Sequence, residues 1–365
     1  HRVRGRQMFG FSIFMNEALT IEKKAYIQKM AKNGFDGIFT SMHIPEDDAS
    51  LYKKRLTELG ECAKENQLDL MVDISGDALK HAGFSMADLE PLKKIGVTGL
   101  RMDYHLSNEQ IANWSHQIKI SLNASTITPQ DVTELQVANA DFSQLEAWHN
   151  YYPRPETGLD RKWYQEKNHR IKEQGFTIHG FVAADEALRG ALYQGLPTLE
   201  SHRHVHPLAA ALDLMSCDTD LIYIGDGGLP EEVQEQFAMY QREQTILLHA
   251  EVIDAQFYEY ILGNHMNRQD EARDVIRSAD ARFRNIPQIP PRDTKERAKG
   301  TITLDNERYL RYMGEIQITK KDLPADEKVN RVAQISEAEL PLLEQIRAGV
   351  NFKIIRREGK TNEAN

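Results

Sequence analysis

Residues 69–124 read DLMVDISGDALKHAGFSMADLEPLKKIGVTGLRMDYHLSNEQIANWSHQIKISLNA. Three short apolar runs stand in this stretch, DLMVDIS at Asp69, GLRMDY at Gly99 and IKISLNA at Ile118, with longer helical patterns between them. Adjacent parallel strands need a crossover of about a dozen residues or more, usually a helix, so this rhythm predicts consecutive βα units. Working outward, the same alternation begins with FGFSIFM at Phe9 and GIFTSMH at Gly37, and it continues with QLEAWHNYY at Gln144, TIHGFVA at Thr177 and DLIYIGD at Asp220. Helix signals fall between the runs. Thr20 precedes a helix with Ile27, Met30 and Ala31 on one face and Asn33-Gly34 at its end, and Pro230 opens the last one. Eight units within about 240 residues predict an α/β fold of the (β/α)₈ TIM-barrel type, because an open doubly wound sheet normally carries fewer strands.

After Gln244 the rhythm changes to TILLHAEVI, TITLDNERYL, GEIQITK and NFKIIRR, with a proline-rich loop around Ile286–Pro291. Ser336 and Glu339 have capping-box spacing before the apolar run Leu340–Ile346, and Gly349 supplies a stop. The expectation is a barrel domain over residues 8–244 and a small β-rich domain with one helix over 245–365.

Two domains agree with the length, since single cores stop growing at roughly 250 to 300 residues. The 365-residue chain is 41% apolar and 27% charged, which predicts an ordered core, and its net charge of −10 argues against a general nucleic-acid binder. No stretch approaches the roughly 18 apolar residues of a membrane span. The start, HRVRGRQMFGFSIFMN, lacks a signal-type apolar run, so the expected location is cytoplasmic, and His1–Gln7, ahead of Met8, are set aside from the fold. Cys62 and Cys217, without C-x-x-C spacing, read as free thiols. Homo-oligomerisation is left open.

Active sites of such barrels are built from strand C-termini and the loops that follow. Asp73 ends the third strand, Arg101 and Asp103 the fourth, Asn123 the fifth, and His149, Asn150 and Tyr152 the sixth. Arg101 and Asp103 are two apart on a strand, so they share a face; the alternative for such a pair is a salt bridge closing the mouth. Asp73 and Asp103 lie on neighbouring strands and can divide acid and base work. Glu17, just past the first strand, is a third carboxylate in reach of the mouth or else a surface residue at a helix start. Asp226 reads mainly as a brace for the turn GDGGLP. Glu200, His202, Arg203, His204 and His206 fall in TLESHRHVHP after the seventh strand, where barrels frequently bind phosphate, and Arg203 could hold one bidentately.

Other chemistries lack their devices. FSIFM carries no His-x-His for a metal, the one barrel strand lysine, Lys119, begins its strand and so faces away from the mouth, and P-loop, G-x-S-x-G and dinucleotide fingerprints are absent. Carboxylate chemistry without a metal or cofactor remains.

HNYYPRPETGL at His149, with FGFSIF at Phe9, GLRMD at Gly99, SLNAS at Ser121, TLESHR at Thr198 and GEIQI at Gly314, resembles the 6-phospho-N-acetylmuramidase family of glycoside hydrolases, first known as "outer surface protein" homologues. The resemblance runs from about Met8 to the C-terminus. It implies a TIM barrel followed by a cyclophilin-like β domain, and cleavage of the 6-phospho-N-acetylmuramyl linkage to N-acetylglucosamine in recycling of peptidoglycan fragments. The partner it implies is a phosphorylated disaccharide. On this pattern Asp73 and Asp103 are the catalytic pair. Asn123, Asn150 and Tyr152 bind sugar hydroxyls or the acetamido group, His149 orients a carboxylate or the leaving oxygen, and Arg203 with His202 binds the 6-phosphate, a role Arg101 could take instead. Two competing readings are a sugar-phosphate isomerase or epimerase using the same mouth, and a sugar-phosphate-binding regulator without catalysis.

Overall fold

The computed structural model describes residues 8–41, 49–74, 76–102, 106–184, 195–281, 284–285 and 288–358. The chain divides into two compact units, residues 1–234 and 235–365. In the first unit, strands and helices alternate as β1 (Met8–Ser12), α1 (Ile21–Lys32), β2 (Gly37–Ser41), α2 (Ala49–Glu65), β3 (Asp69–Ile74), α3 (Gly76–His81), α4 (Glu90–Lys94), β4 (Gly99–Met102), α5 (Asn108–Ser115), β5 (Lys119–Asn123), α6 (Pro129–Val137), β6 (Leu145–Trp148), α7 (Arg161–Glu173), β7 (Thr177–Val182), α8 (Pro207–Ser216) and β8 (Leu221–Ile224). The eight strands close into a parallel barrel in sequence order, β8 pairing with β1. Seven of the eight predicted strand runs contain one of these strands, and the first overlaps β1, which starts one residue earlier at Met8. The division between units falls within α9 (Glu231–Glu243).

Side-chain oxygens start several helices by capturing an otherwise unpaired backbone N–H, a contact worth about 1 kcal/mol. Thr20 accepts from Lys23 N at 3.1 Å ahead of α1, and Asp160 from Trp163 N at 3.0 Å ahead of α7. Ser107 with Gln110 and Thr128 with Asp131 form reciprocal capping boxes for α5 and α6.

Alternation along the strands decides what fills the barrel. Met8, Phe39, Met71, Trp148, Phe181, Leu221 and Tyr223 form its buried interior cluster. The Tyr223 ring lies across β1 and β2, and a Cβ at Gly10 would stand 2.4 Å from it while one at Gly37 would stand 2.1 Å from its hydroxyl. Glycine at both positions makes room for one large ring. Odd and even positions are thereby fixed: Phe9 and Phe11 face outward onto Phe35, with ring centroids 6.0 Å away in each case. Lys119 pairs with Asp69 at 3.5 Å, both at the first positions of their strands, hence at the N-terminal end of the barrel. Cys62 and Cys217 are buried free thiols.

The second unit holds β9 (Thr245–Val252), α10 (Ala255–Ile261), β10 (Gly263–Met266), β11 (Val275–Arg277), β12 (Thr301–Asp305), β13 (Ile316–Thr319), β14 (Val329–Ile335) and β15 (Asn351–Arg356). They form one mixed sheet in the order β10-β15-β9-β14-β12-β13-β11, in which only β15 and β9 run parallel. The helix expected at Leu340–Ile346 is a correction. Residues Glu337–Gln345 form 3₁₀ turns around Pro341, and Ser336 makes no side-chain cap. Glu339, read as the return arm of a capping box, is instead buried and accepts from His249 N and Gln236 Nε2 at 2.6 and 2.7 Å, with His249 Nδ1 at 2.6 Å. Among the described residues after α9, the α-helix is α10, capped by Asp254.

Candidate active site at the barrel mouth

The inward parity set by Met71 carries on to Asp73, and Gly99, whose Cβ would meet Met71 Cε at 2.5 Å, sets Arg101 inward as well. Asp73 and Arg101 are direct register partners at the C-terminal ends of β3 and β4. Ser41 stands beside Asp73 on β2, and Ser121 beside Arg101 on β5. Arg101 donates through Nη2 to Asn150 Oδ1, which brings the end of β6 to the same place. Asp73, Arg101 and Asn150, all proposed from sequence, are thus gathered at one mouth. Asp103, their expected partner, lies outside the described residues.

Beneath them Trp148 and His179 stack with ring centroids 3.5 Å apart and planes 9° from parallel, both fully buried. Burial drives the His179 pKa well below its usual range and Arg101 pushes it the same way, so the ring is neutral. This fully buried aromatic pair makes an apolar floor for the mouth. Tyr151 completes the constellation: its ring packs on Phe181 at 5.0 Å and Phe39 at 6.5 Å. Its hydroxyl pKa is raised by burial first and then by Asp73, with Arg101 opposing and Asp226 adding. The sequence reading chose Tyr152 and missed Tyr151, Ser41 and His179. Counting alternate residues back from the mouth along β2 and β7 identifies Ser41 and His179. Tyr151 follows the end of β6, where alternation no longer applies.

The remaining assignments fall elsewhere. His149 is fully buried on the outer side of β6, its Nε2 2.6 Å from Asn168 Oδ1 of α7 and its ring 4.5 Å from that of Tyr164. Burial lowers its pKa to about 4. One residue past the inward Trp148, it belongs to the barrel wall and is directed away from the mouth. Asn123 folds its Oδ1 onto Ser125 N at 2.9 Å, a local Asx turn at the end of β5. Glu17 is exposed in the loop after β1.

Arg203 is 3% exposed and spends all five guanidinium N–H donors on the protein. Nε and Nη2 grip Glu200 at 2.7 and 2.5 Å, Nη1 reaches Tyr152 O and Gly195 O at 2.9 and 3.3 Å, and Nη2 also reaches Arg154 O at 3.2 Å. Its hold, with burial opposing, brings Glu200 to about 2. Glu200 also accepts from Gly158 N at 2.8 Å, and a Cβ at Gly158 would press to 2.5 Å from Glu200 N. Leu159 N donates to Thr198 O and Glu200 N to Leu159 O, so HNYYPRPETGL and TLESHR are bound into one braced loop. His202 is buried against Asp213 at 2.8 Å, and His206 caps α8 through Nδ1. A phosphate on Arg203 and His202 would have to displace these partners. Asp226, expected to brace its own turn GDGGLP, instead accepts through Oδ2 from Ala184 N and Leu196 N at 2.7 and 3.4 Å, two backbone groups distant in sequence.

A closed parallel barrel with an inward carboxylate and guanidinium at its C-terminal mouth defines the first unit as a TIM barrel of enzyme type. The domain described as 6-phospho-N-acetylmuramidase, N-terminal, matches residues 9–239, and that described as 6-phospho-N-acetylmuramidase, C-terminal, matches residues 246–355. The chain belongs to the 6-phospho-N-acetylmuramidase family, a family of glycosidases acting on small sugar substrates. Among solved structures, a conserved protein of unknown function from Enterococcus faecalis is 49% identical over 96% of both chains, with a TM-score of 0.88. An uncharacterised Bacillus cereus protein is 25% identical, with 96% of this chain and 100% of that chain covered and a TM-score of 0.73. No curated protein matches. Among the described residues, no helix is long and apolar enough to cross a membrane.

Proposed function

We propose that the protein hydrolyses the β-1,4 bond between 6-phospho-N-acetylmuramic acid and N-acetylglucosamine, releasing N-acetylmuramic acid 6-phosphate and N-acetylglucosamine. The family supports the substrate class. The observation that carries the site is the register pairing of Asp73 with Arg101 above the Trp148–His179 floor.

Asp73 and Asp103 serve as the two carboxylates, one protonating the leaving oxygen while the other attacks the sugar or activates water. Arg101 takes the 6-phosphate, because Arg203 is already committed to the loop. Asn150, held by Arg101, presents an amide to sugar hydroxyls, and the raised Tyr151 hydroxyl remains a hydrogen-bond donor across the working pH range. The reaction takes place in the cytoplasm, in the recycling of peptidoglycan fragments. The second unit is a cyclophilin-like domain, a reading its largely antiparallel mixed sheet supports. A domain boundary at residues 244–245 is supported by the gap between the two family matches, which end at 239 and resume at 246.

The test is incubation of the protein with the phosphorylated disaccharide and with its unphosphorylated counterpart, both followed by mass spectrometry. Release of two monosaccharides from the phosphorylated form alone, lost on Arg101→Gln, is the expected result. An isomerised but uncleaved disaccharide would point to an isomerase, and tight binding without turnover to a regulator.

A further inference from the structure

The second unit contains a cavity of about 580 Å³, within the roughly 300–1,000 Å³ of small-molecule sites. Met266, Arg268, Ser278, Arg311, Tyr312 and Glu315 are among its lining residues. With Arg277, which reaches Glu315 from outside the lining, three guanidiniums meet only two carboxylates, Asp270 and Glu315. Arg268 is held bidentately by Asp270 at 2.8 and 3.0 Å, and Glu315 accepts from Arg277 Nε at 2.6 Å. Arg311 has no carboxylate partner among the described residues. Its guanidinium lies 5.0 Å over the Tyr312 ring and donates to the Tyr312 hydroxyl at 3.0 Å. One positive charge is left over at the cavity, beside an aromatic ring that is 48% exposed.

Three further features bear on a ligand. Leu310, just before Arg311, is held at φ 56° and ψ −116°, a region L-residues rarely adopt, while its own side chain is 80% exposed and gains nothing from the fold there. Beside Glu315, across the β12–β13 ladder, the Asp305 carboxyl is 5% exposed and accepts no hydrogen bond among the described residues. Burial, with Glu315 and Asp326 adding, pushes it up to about 8, so at neutral pH it adds little negative charge beside Glu315. Ser278 offers an acceptor as well. His265 Nε2 is 2.8 Å from Ile261 O and so carries the proton, Nδ1 accepts from the Ser278 hydroxyl at 2.8 Å, and the lone pairs of that hydroxyl remain for a ligand.

We propose that this cavity binds a hexose-sized polyol bearing one anionic group, carboxylate or phosphate, with the anion on Arg311, the ring against Tyr312 and hydroxyls on Glu315 and Ser278. The site belongs wholly to the second unit and does not depend on the reading of the barrel.

Isothermal titration calorimetry of the full chain with D-glucuronate, D-glucose 6-phosphate and neutral D-glucose tests it, in an Arg101→Gln background that removes the barrel guanidinium. At least one of the two anionic hexoses is expected to bind one per chain with Kd below about 10 mM, and glucose at least tenfold more weakly. The better of the two identifies the anion. Adding Arg311→Gln is expected to weaken that binding tenfold or more, and Tyr312→Ala to weaken it independently. Both side chains are exposed, and an unchanged thermal melt verifies the fold. No binding of either anion in the Arg101→Gln protein, or binding that survives Arg311→Gln unchanged, overturns the proposal.

Discussion

At the ends of β3 and β4 the inward polar side chains meet across a register pair over an aromatic floor, whereas in the loop after β7 Glu200, His202 and Arg203 are consumed by the chain itself. Arg101 and Arg203 show the difference in one residue type. Arg101 is half-buried, facing Asp73 and bonded to Asn150. Arg203 is buried and satisfied by one carboxylate and three backbone carbonyls. Both belong to segments that carry the family resemblance, and a segment shared across a family marks either chemistry or architecture. Burial and direction separate the two: the Arg203 donors all end on a closed loop, whereas the half-buried Arg101 is directed inward at the barrel mouth.

The largest expected effect lies at the mouth. Asp73→Asn should lower turnover of the phosphorylated disaccharide by about a hundred- to ten-thousandfold while the melting temperature stays near that of the parent, as measured by sugar release and thermal unfolding. Near-normal turnover in a folded Asp73→Asn protein would break the comparison at its catalytic end.

Arg203→Gln tests the other end and should act on stability first. Removing one partner of a buried pair costs about 3–5 kcal/mol, and the lower end is expected because the Glu200 side chain keeps 33% exposure. Denaturant titration measures the loss, and turnover below the melting temperature should stay within about tenfold of the parent. A folded, fully stable Arg203→Gln enzyme with a greatly raised KM for the phosphorylated substrate alone would return the phosphate to Arg203.

Acid sharpens the contrast more gently. Glu200 is brought from 4.5 to about 2, chiefly by Arg203, and Asp213 from 3.8 to about 2, where burial acts upward but the bonds from His202 and Arg161 win. Folded-state values below the unfolded ones mean that this stabilisation is present above about 4.5 and is lost as pH falls toward 2. Urea midpoints should therefore hold steady from neutrality to about pH 5 and then fall, with a shallower fall in Glu200→Gln. A midpoint unchanged down to about pH 2.5 contradicts the brace. The smallest effect is expected from Glu17→Gln, whose exposed carboxylate should alter kcat/KM by no more than about twofold.

Much of the fold was legible because its signals are local. Apolar runs, the Thr20 cap and the Asn33-Gly34 stop act within a few residues, and the eight strand runs could be counted directly. In the second unit the signals were weaker. Val329–Ile335 forms a strand although VNRVAQI carries no clean alternation, because it is buried between β9 and β12. Glu339 had the spacing of a helix cap, but His249, 90 residues away, claimed it.

The sequence by itself determined the repeating βα order, the change of architecture after the barrel, the family, and the presence of polar residues at strand ends, since each follows from short-range pattern. Only the tertiary structure decided which of those residues share a site. His149, one residue past the inward Trp148, still turns outward, but β6 stops at Trp148 and Tyr151, which continued alternation would also send outward, turns in. Arg203 meets Glu200, Tyr152, Arg154 and Gly195 only once two distant segments lie side by side. Side-chain direction and donor occupancy depend on which strand or loop ends up adjacent, and that is a property of the closed barrel, not of any window of sequence.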